Sequence, residues 1–333
     1  MRNTNLLQAL SAAAALMLLT ACSGGGSSAL APKPASPSGH AQILTGYSRN
    51  PQHIVGYYAC PANGQIEYAS DAVHWVITVY AGNFAGQPPC GRITTGVQQP
   101  SGLHVDFATH DLYVANSGGG NILVFHRGQT SPYNTYSDPI QQYPIDVTLV
   151  KDGTVIASNL SSFGSEAGSL STWIGGPNGG TFVGNFPMTH DEQGGFIAVR
   201  KNGTVYYNDI DLTTKQGALW SLSCPAGACG TQTQVAGVSS IDPAGMAIDS
   251  TGDLLMTDTS GVGETFELPN PNPKTFPIFG HPYGIAMNQS GHHLFIGDWS
   301  GPKVQEYAYP SGTFIGAVKG AQYGWLRGVA VDQ

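Results

Sequence analysis

The chain has 333 residues, of which 41% are hydrophobic, enough for a sizeable core and against wholesale disorder. Only 10% are Asp, Glu, Lys or Arg, against about 25% in an ordinary globular chain, which excludes a long charged coiled coil. The formal net charge of −8 gives no basic footprint for nucleic acid, and 45 Gly without a Gly-X-Y period exclude collagen.

The first element is an address. Arg2 precedes an apolar run from Leu6 to Leu19, too short for a comfortable bilayer span. The run ends in Leu19-Thr20-Ala21-Cys22, followed by Ser, Gly and Ser. This resembles the bacterial lipoprotein signal, in which a small-residue cleavage site stands directly before the cysteine that receives the lipid. The resemblance implies a signal peptide over residues 1–21, lipidation of Cys22 and an extracytoplasmic protein held on the membrane of the cell envelope. Ser23 in place of Asp implies the outer membrane if the host is Gram-negative. Residues 22–40 read as the lipidated cysteine and a Ser/Gly/Pro tether.

Export permits disulfides. Cys224-Pro-Ala-Gly-Ala-Cys229 encloses a turn and predicts a Cys224–Cys229 staple, leaving Cys60 with Cys90. The alternative of a metal or redox site at 224–229 lacks the Cys-x-x-Cys spacing and a second ligand pair.

The rest of the chain, residues 41–333, reads as one repeating domain. Pro100-Ser-Gly-Leu-His-Val-Asp106 precedes Asp111-Leu-Tyr-Val-Ala-Asn116. The same pattern recurs at Pro144, Gly194, Pro243 and Pro282, and a last copy from Leu326 to Asp332 is cut off by the chain end. The third positions are 102, 146, 196, 245, 284 and 328, spaced by 44, 50, 49, 39 and 44 residues. Each copy is a strand, a Gly/Asn/Asp turn and a second strand, with further strands behind. That is one propeller blade. The truncated copy borrows its outer strands from Gln65–Ala69, Val76–Tyr80 and Gly91–Thr94. The expected fold is all-β: a six-bladed β-propeller of four-stranded antiparallel blades, closed by N- and C-terminal strands and acting as a monomer.

The repeat Pro-x-Gly-hydrophobic-Ala-hydrophobic-Asp, best in Pro243–Asp258, resembles the NHL family. That family and its six-bladed relatives include binding scaffolds, lactonases and lyases, so the resemblance implies fold far more than activity.

Once per blade a strand ends in a side-chain oxygen: Asn116, Asn159, Asp209, Asp258 and Asp298, with Ser70 and Asp71 in the closing blade. Such a ring could hold Ca2+ or another divalent cation; equally, each residue could cap the turn where it sits. Departures from the repeat are more informative. The third and fifth strand positions share a face, expected to line the channel. There His104 replaces the usual Ala and Asp146 the usual Gly. An imidazole and a carboxylate in one channel suit acid–base work or metal ligation, or form a buried structural pair. His281, Tyr283, Trp325 and Arg327 lie on loops entering the inner strands, with His190, Asp191 and Glu192 on another. They would surround one mouth of the channel and suit a carboxylate or a sugar face, with the ligand site near Asp146 and His104, toward Tyr283 and Arg327. No His-Glu-x-x-His, Gly-x-Ser-x-Gly, P-loop or dinucleotide fingerprint is present, and neither the metal-binding Glu of gluconolactonase-like propellers nor the repeated motifs of virginiamycin-lyase-like ones is matched. The first expectation is a binding module for a protein or glycan; the second is a metal-dependent hydrolase or lyase with its site in the channel.

Overall fold

Strands form where apolar and β-branched residues run between Gly, Asn and Asp turns, and the computed structural model arranges them in chain order around one axis. It describes residues 55–82, 88–140, 142–160, 168–175, 180–188, 195–211, 216–238, 242–259, 262–266, 274–301, 303–318 and 324–333. Cys22, the tether and residues 189–194, with His190, Asp191 and Glu192, lie outside these.

The chain opens with β1 (Tyr57–Tyr58), β2 (Ile66–Asp71), β3 (Val76–Ala81) and β4 (Gly91–Ile93). Blades of four strands follow: β5 (Pro100–Asp106) to β8 (Asn134–Ser137), β9 (Tyr143–Leu149) to β12 (Thr181–Pro187), and β13 (Ile197–Val199) to β16 (Thr233–Gln234). Then come β17 (Pro243–Ile248) to β20 (Lys274–Pro277) and β21 (Pro282–Met287) to β24 (Thr313–Ala317). The last strand, β25 (Leu326–Asp332), pairs antiparallel with β2, Ile66 opposite Asp332 and Ala69 opposite Val329. Six sheets and the N-to-C closure therefore stand as the repeat predicts.

The closing blade differs in one respect: β1 adds a fifth strand, pairing with the outer strand β4. The Cys60–Cys90 disulfide holds this segment in place, and the Ala59 N–H donates to the Cys90 carbonyl at 2.8 Å. The Cys224–Cys229 bridge closes the turn between β15 (Gln216–Ser223) and β16. Both expected pairings are present. Disulfides belong to an oxidising, extracytoplasmic environment. No helix among the described residues is long and apolar enough to cross a membrane.

The core is divided by interface. Each junction between neighbouring blades has its own apolar cluster, for example Tyr68, Ile77 and Val79 against Leu103, Val114 and Leu123. At the closing junction Phe295 and Val304 meet Val329 and Val331. Each blade is thus buried on both faces, which is why its strands read as near-continuous apolar runs.

The Pro-x-Gly at the start of three of the six inner strands is a bulge: register shifts fall between Pro100 and Leu103, Pro243 and Met246, and Pro282 and Ile285. The glycine is needed for close approach. A Cβ on Gly328 would lie 2.2 Å from the Ser101 carbonyl oxygen of the next inner strand. The inner strands therefore pack backbone to backbone at their third positions, forming a constriction on the axis.

Candidate functional site

Beyond that constriction the six inner strands enclose a cavity of about 280 Å³. Its wall carries the fifth-position residues His104, Thr148, Ala198, Ala247, Ala286 and Ala330. It continues to Phe107, Lys201, Asp249 and Met287, so it opens at the end where first strands turn into second strands. Four alanines where bulky side chains would fill the space keep it hollow.

Asp146 sits at the constriction. A Cβ on Gly102 would lie 2.0 Å from its Oδ1, so the glycine of one blade makes room for the carboxyl of the next. The Val147 N–H donates to Oδ1 at 2.9 Å, and the Ile197 N–H of the following blade donates to Oδ2 at 3.0 Å. Burial pushes the carboxyl up to about 7; the two N–H donors oppose this. His104, half-buried in the cavity wall, is pushed down to about 4 by burial, with Asp106 opposing. At neutral pH its imidazole is uncharged. The two residues share the cavity, and no hydrogen bond joins them: the partners of Asp146 are backbone N–H groups, not the imidazole.

The residues read as one mouth lie at the other end. Tyr283 stands edge to face with Phe196, 4.9 Å between centroids, although their strands are two blades apart. The rings therefore meet over the intervening inner strand, β17. Burial raises the Tyr283 hydroxyl, and the Arg327 charge nearby opposes this. The Arg327 guanidinium lies 4.2 Å over the Trp325 ring. His281 is exposed, and its Nδ1 is 2.7 Å from the Thr259 carbonyl oxygen. None of these four lines the cavity. Tyr283 feels the charges of both Arg327 and Asp146, while His104 lines the cavity with none of these four residues. A bulged strand changes direction at its third position, which period-2 reading does not register.

The strand-end residues do not converge on a cation. Asn116 accepts the Gln98 N–H at 2.6 Å, Asp258 that of Asp242 at 3.2 Å and Asp298 that of His281 at 3.1 Å. Asp71 accepts the Gly324 N–H at 2.7 Å. Each ties down the loop entering its own blade's inner strand. Asp209 accepts the Trp220 indole N–H at 2.8 Å, and the Asn159 amide donates to Ser171 Oγ at 2.9 Å. Among the described residues no group of three or more His, Cys, Asp or Glu side chains is placed to hold a metal ion. Asn116, Asp258, Asp298 and Asp71 thus act as the turn-capping alternative describes, while Asp209 and Asn159 hold side chains of their own blades.

Two buried acids escape the sequence reading. Glu67 on β2 and Glu306 on β23 (Lys303–Ala308) are fully buried, and one oxygen of each has no partner. The signal was present: a Glu in the middle of a strand that the repeat buries on both faces, in Ile66-Glu-Tyr68 and Gln305-Glu-Tyr307.

Neither a protein-family model nor a curated protein matches the chain. Solved structures do. One chain of a nidogen/laminin complex superposes with a TM-score of 0.63 at 12% identity, over 81% of this chain and 99% of that one. A functionally unknown protein from Desulfotomaculum acetoxidans gives 0.57 at 12% identity, over 80% and 99%. A luciferin-regenerating enzyme gives 0.52 at 14% identity, over 73% and 85%. At such identities the likeness is one of fold, and it agrees with the strand order: the chain is a six-bladed β-propeller.

Proposed function

We propose that the chain is a lipid-anchored, NHL-like propeller of the bacterial cell envelope that binds a protein or glycan ligand at its central cavity. The observation that supports this is the hollow wall, with alanine at four of the six fifth positions. At about 280 Å³ the cavity falls just below the range of drug-sized ligand pockets, about 300–1,000 Å³. It admits one sugar ring or one side chain, with the rest of the ligand lying across the mouth. Ala247→Trp is expected to fill the cavity and abolish capture on glycan and peptide arrays while the melting temperature holds; undiminished capture overturns the reading.

The second reading, a hydrolase or lyase, is favoured by one observation: an uncharged His104 and an Asp146 that titrates near neutrality face the same cavity. It rests on proton transfer, since no described donor set gathers a cation there. Turnover of a lactone that is lost in Asp146→Asn would establish it over the first.

The address has its own test. Cys22→Ser is expected to leave the precursor uncleaved and to move the protein out of the membrane fraction. An unchanged mature mass would refute the lipid anchor.

A further inference from the structure

We infer that the face opposite the open cavity carries a separate site for a monocarboxylate group, with the Arg327 guanidinium as its cation. Arg327 is only 8% exposed, and its Nε and Nη1 are buried without any acceptor. No described carboxylate pairs with it. The contrast with Arg127 is direct: that guanidinium reaches the buried Asp332 at 2.8 Å. A chain that buries a guanidinium ordinarily supplies its counter-charge, because desolvation of an unpaired cation is costly. Here the described residues supply the cation and the stacking ring beneath it, and no anion.

The neighbouring groups are donors too. Trp325 Nε1 and Ser101 Oγ are buried and unpartnered. Ser101 lies on β5, whose backbone packs against Gly328, the residue after Arg327. Arg327 and Ser101 therefore lie on two adjacent inner strands, with Trp325 directly before the first of them. Tyr283 completes the surroundings, since its hydroxyl feels the Arg327 charge.

The ligand class follows from charge and shape. A planar guanidinium fork matches a carboxylate. A dianion such as phosphate is disfavoured: Tyr283 also feels Asp146 and Asp242, and the whole chain carries −8. Trp325 and Tyr283 offer aromatic surface to the body of the ligand. Two sources share this chemistry, the uronic acid of a glycan and a free aromatic acid.

The experiment titrates the full-length protein with galacturonate and with benzoate, each against its neutral counterpart, galactose or benzamide, and against inorganic phosphate. One carboxylate or both should bind, with the neutral counterpart and phosphate at least about 10-fold weaker, the scale of a charge-assisted hydrogen bond. Which of the two binds distinguishes the glycan source from the free acid. Arg327→Gln should abolish this binding without lowering the melting temperature, since it removes an unpaired buried charge. Arg327→Lys, which keeps the charge and loses the fork, should retain part of it. Equal binding of the neutral counterparts, preference for phosphate, or no binding of either carboxylate overturns the site; so does a large loss of stability in Arg327→Gln, which would make the residue a strut. The site is independent of the cavity reading: in Ala247→Trp carboxylate binding should persist, and its loss there would assign the carboxylate to the cavity instead.

Discussion

A chain ending at Trp325 is expected to aggregate rather than fold. The deletion removes β25, all seven of whose residues are buried, and with it the inner strand of the closing blade. Leu326, Val329 and Val331 are at most 2% exposed. At about 1.5–3 kcal/mol for each buried side chain, these three alone contribute about 5–9 kcal/mol. That compares with a net stability of about 5–15 kcal/mol for a whole domain. The loss also exposes the edge of β2 and removes Asp332, which holds His110 at 2.6 Å and Arg127 at 2.8 Å. Size-exclusion chromatography and thermal melting of the truncated chain test this; a monomer with the parent melting temperature would show that β2 and β25 do not hold the ring.

Glu67→Gln is expected to stabilise the protein above neutrality and to flatten its pH profile. Burial, reinforced by Glu306, pushes the Glu67 carboxyl from 4.5 up to about 9, and the Gln65 amide opposes this. The folded state therefore holds the proton more tightly than the unfolded one. The stabilisation is complete below about 4.5 and is lost as pH rises toward about 9. At 1.36 kcal/mol per unit the full span is about 6 kcal/mol. Gln keeps the shape and the acceptor for Gln65, and needs no proton. Asp146, raised to about 7, slopes the same way over a shorter range. His104 slopes oppositely: its depressed value means stability is lost as pH falls from 6.5 toward about 4. Melting curves from pH 4 to 9 should show the parent falling at the alkaline end and the variant holding. Parallel slopes would mean that Glu67 is ionised in the folded protein.

The architecture was legible because the blade is a repeated solution to one packing problem. Pro-x-Gly marks the bulge, the following hydrophobics fill two interfaces, and the strand-end Asn or Asp clamps the entering loop. The pairing of the Leu326–Asp332 copy with strands from the N-terminal side was readable as well. The site was legible only in part. His104 and Asp146 were found because they replace the small residues of other blades, and both do line the axis. The packing of Phe196 against Tyr283 was hidden, because it joins strands far apart in sequence. Glu67 and Glu306 were passed over because they sit on second and third strands, away from the axis where departures were sought.

The N-terminal side of the described chain joins the propeller at its rim, since β1 is the outermost strand of the closing blade and β25 the innermost. The Cys60–Cys90 bridge lies between that attachment and the β2–β25 ladder. A pull arriving through Val55 is thus met by a covalent rivet to the neighbourhood of β4, and cannot unzip β2 from β25 without tearing at the whole blade. Were the chain held through its N-terminal side, the load would fall on the rim of this blade and not on the inner strands that line the cavity.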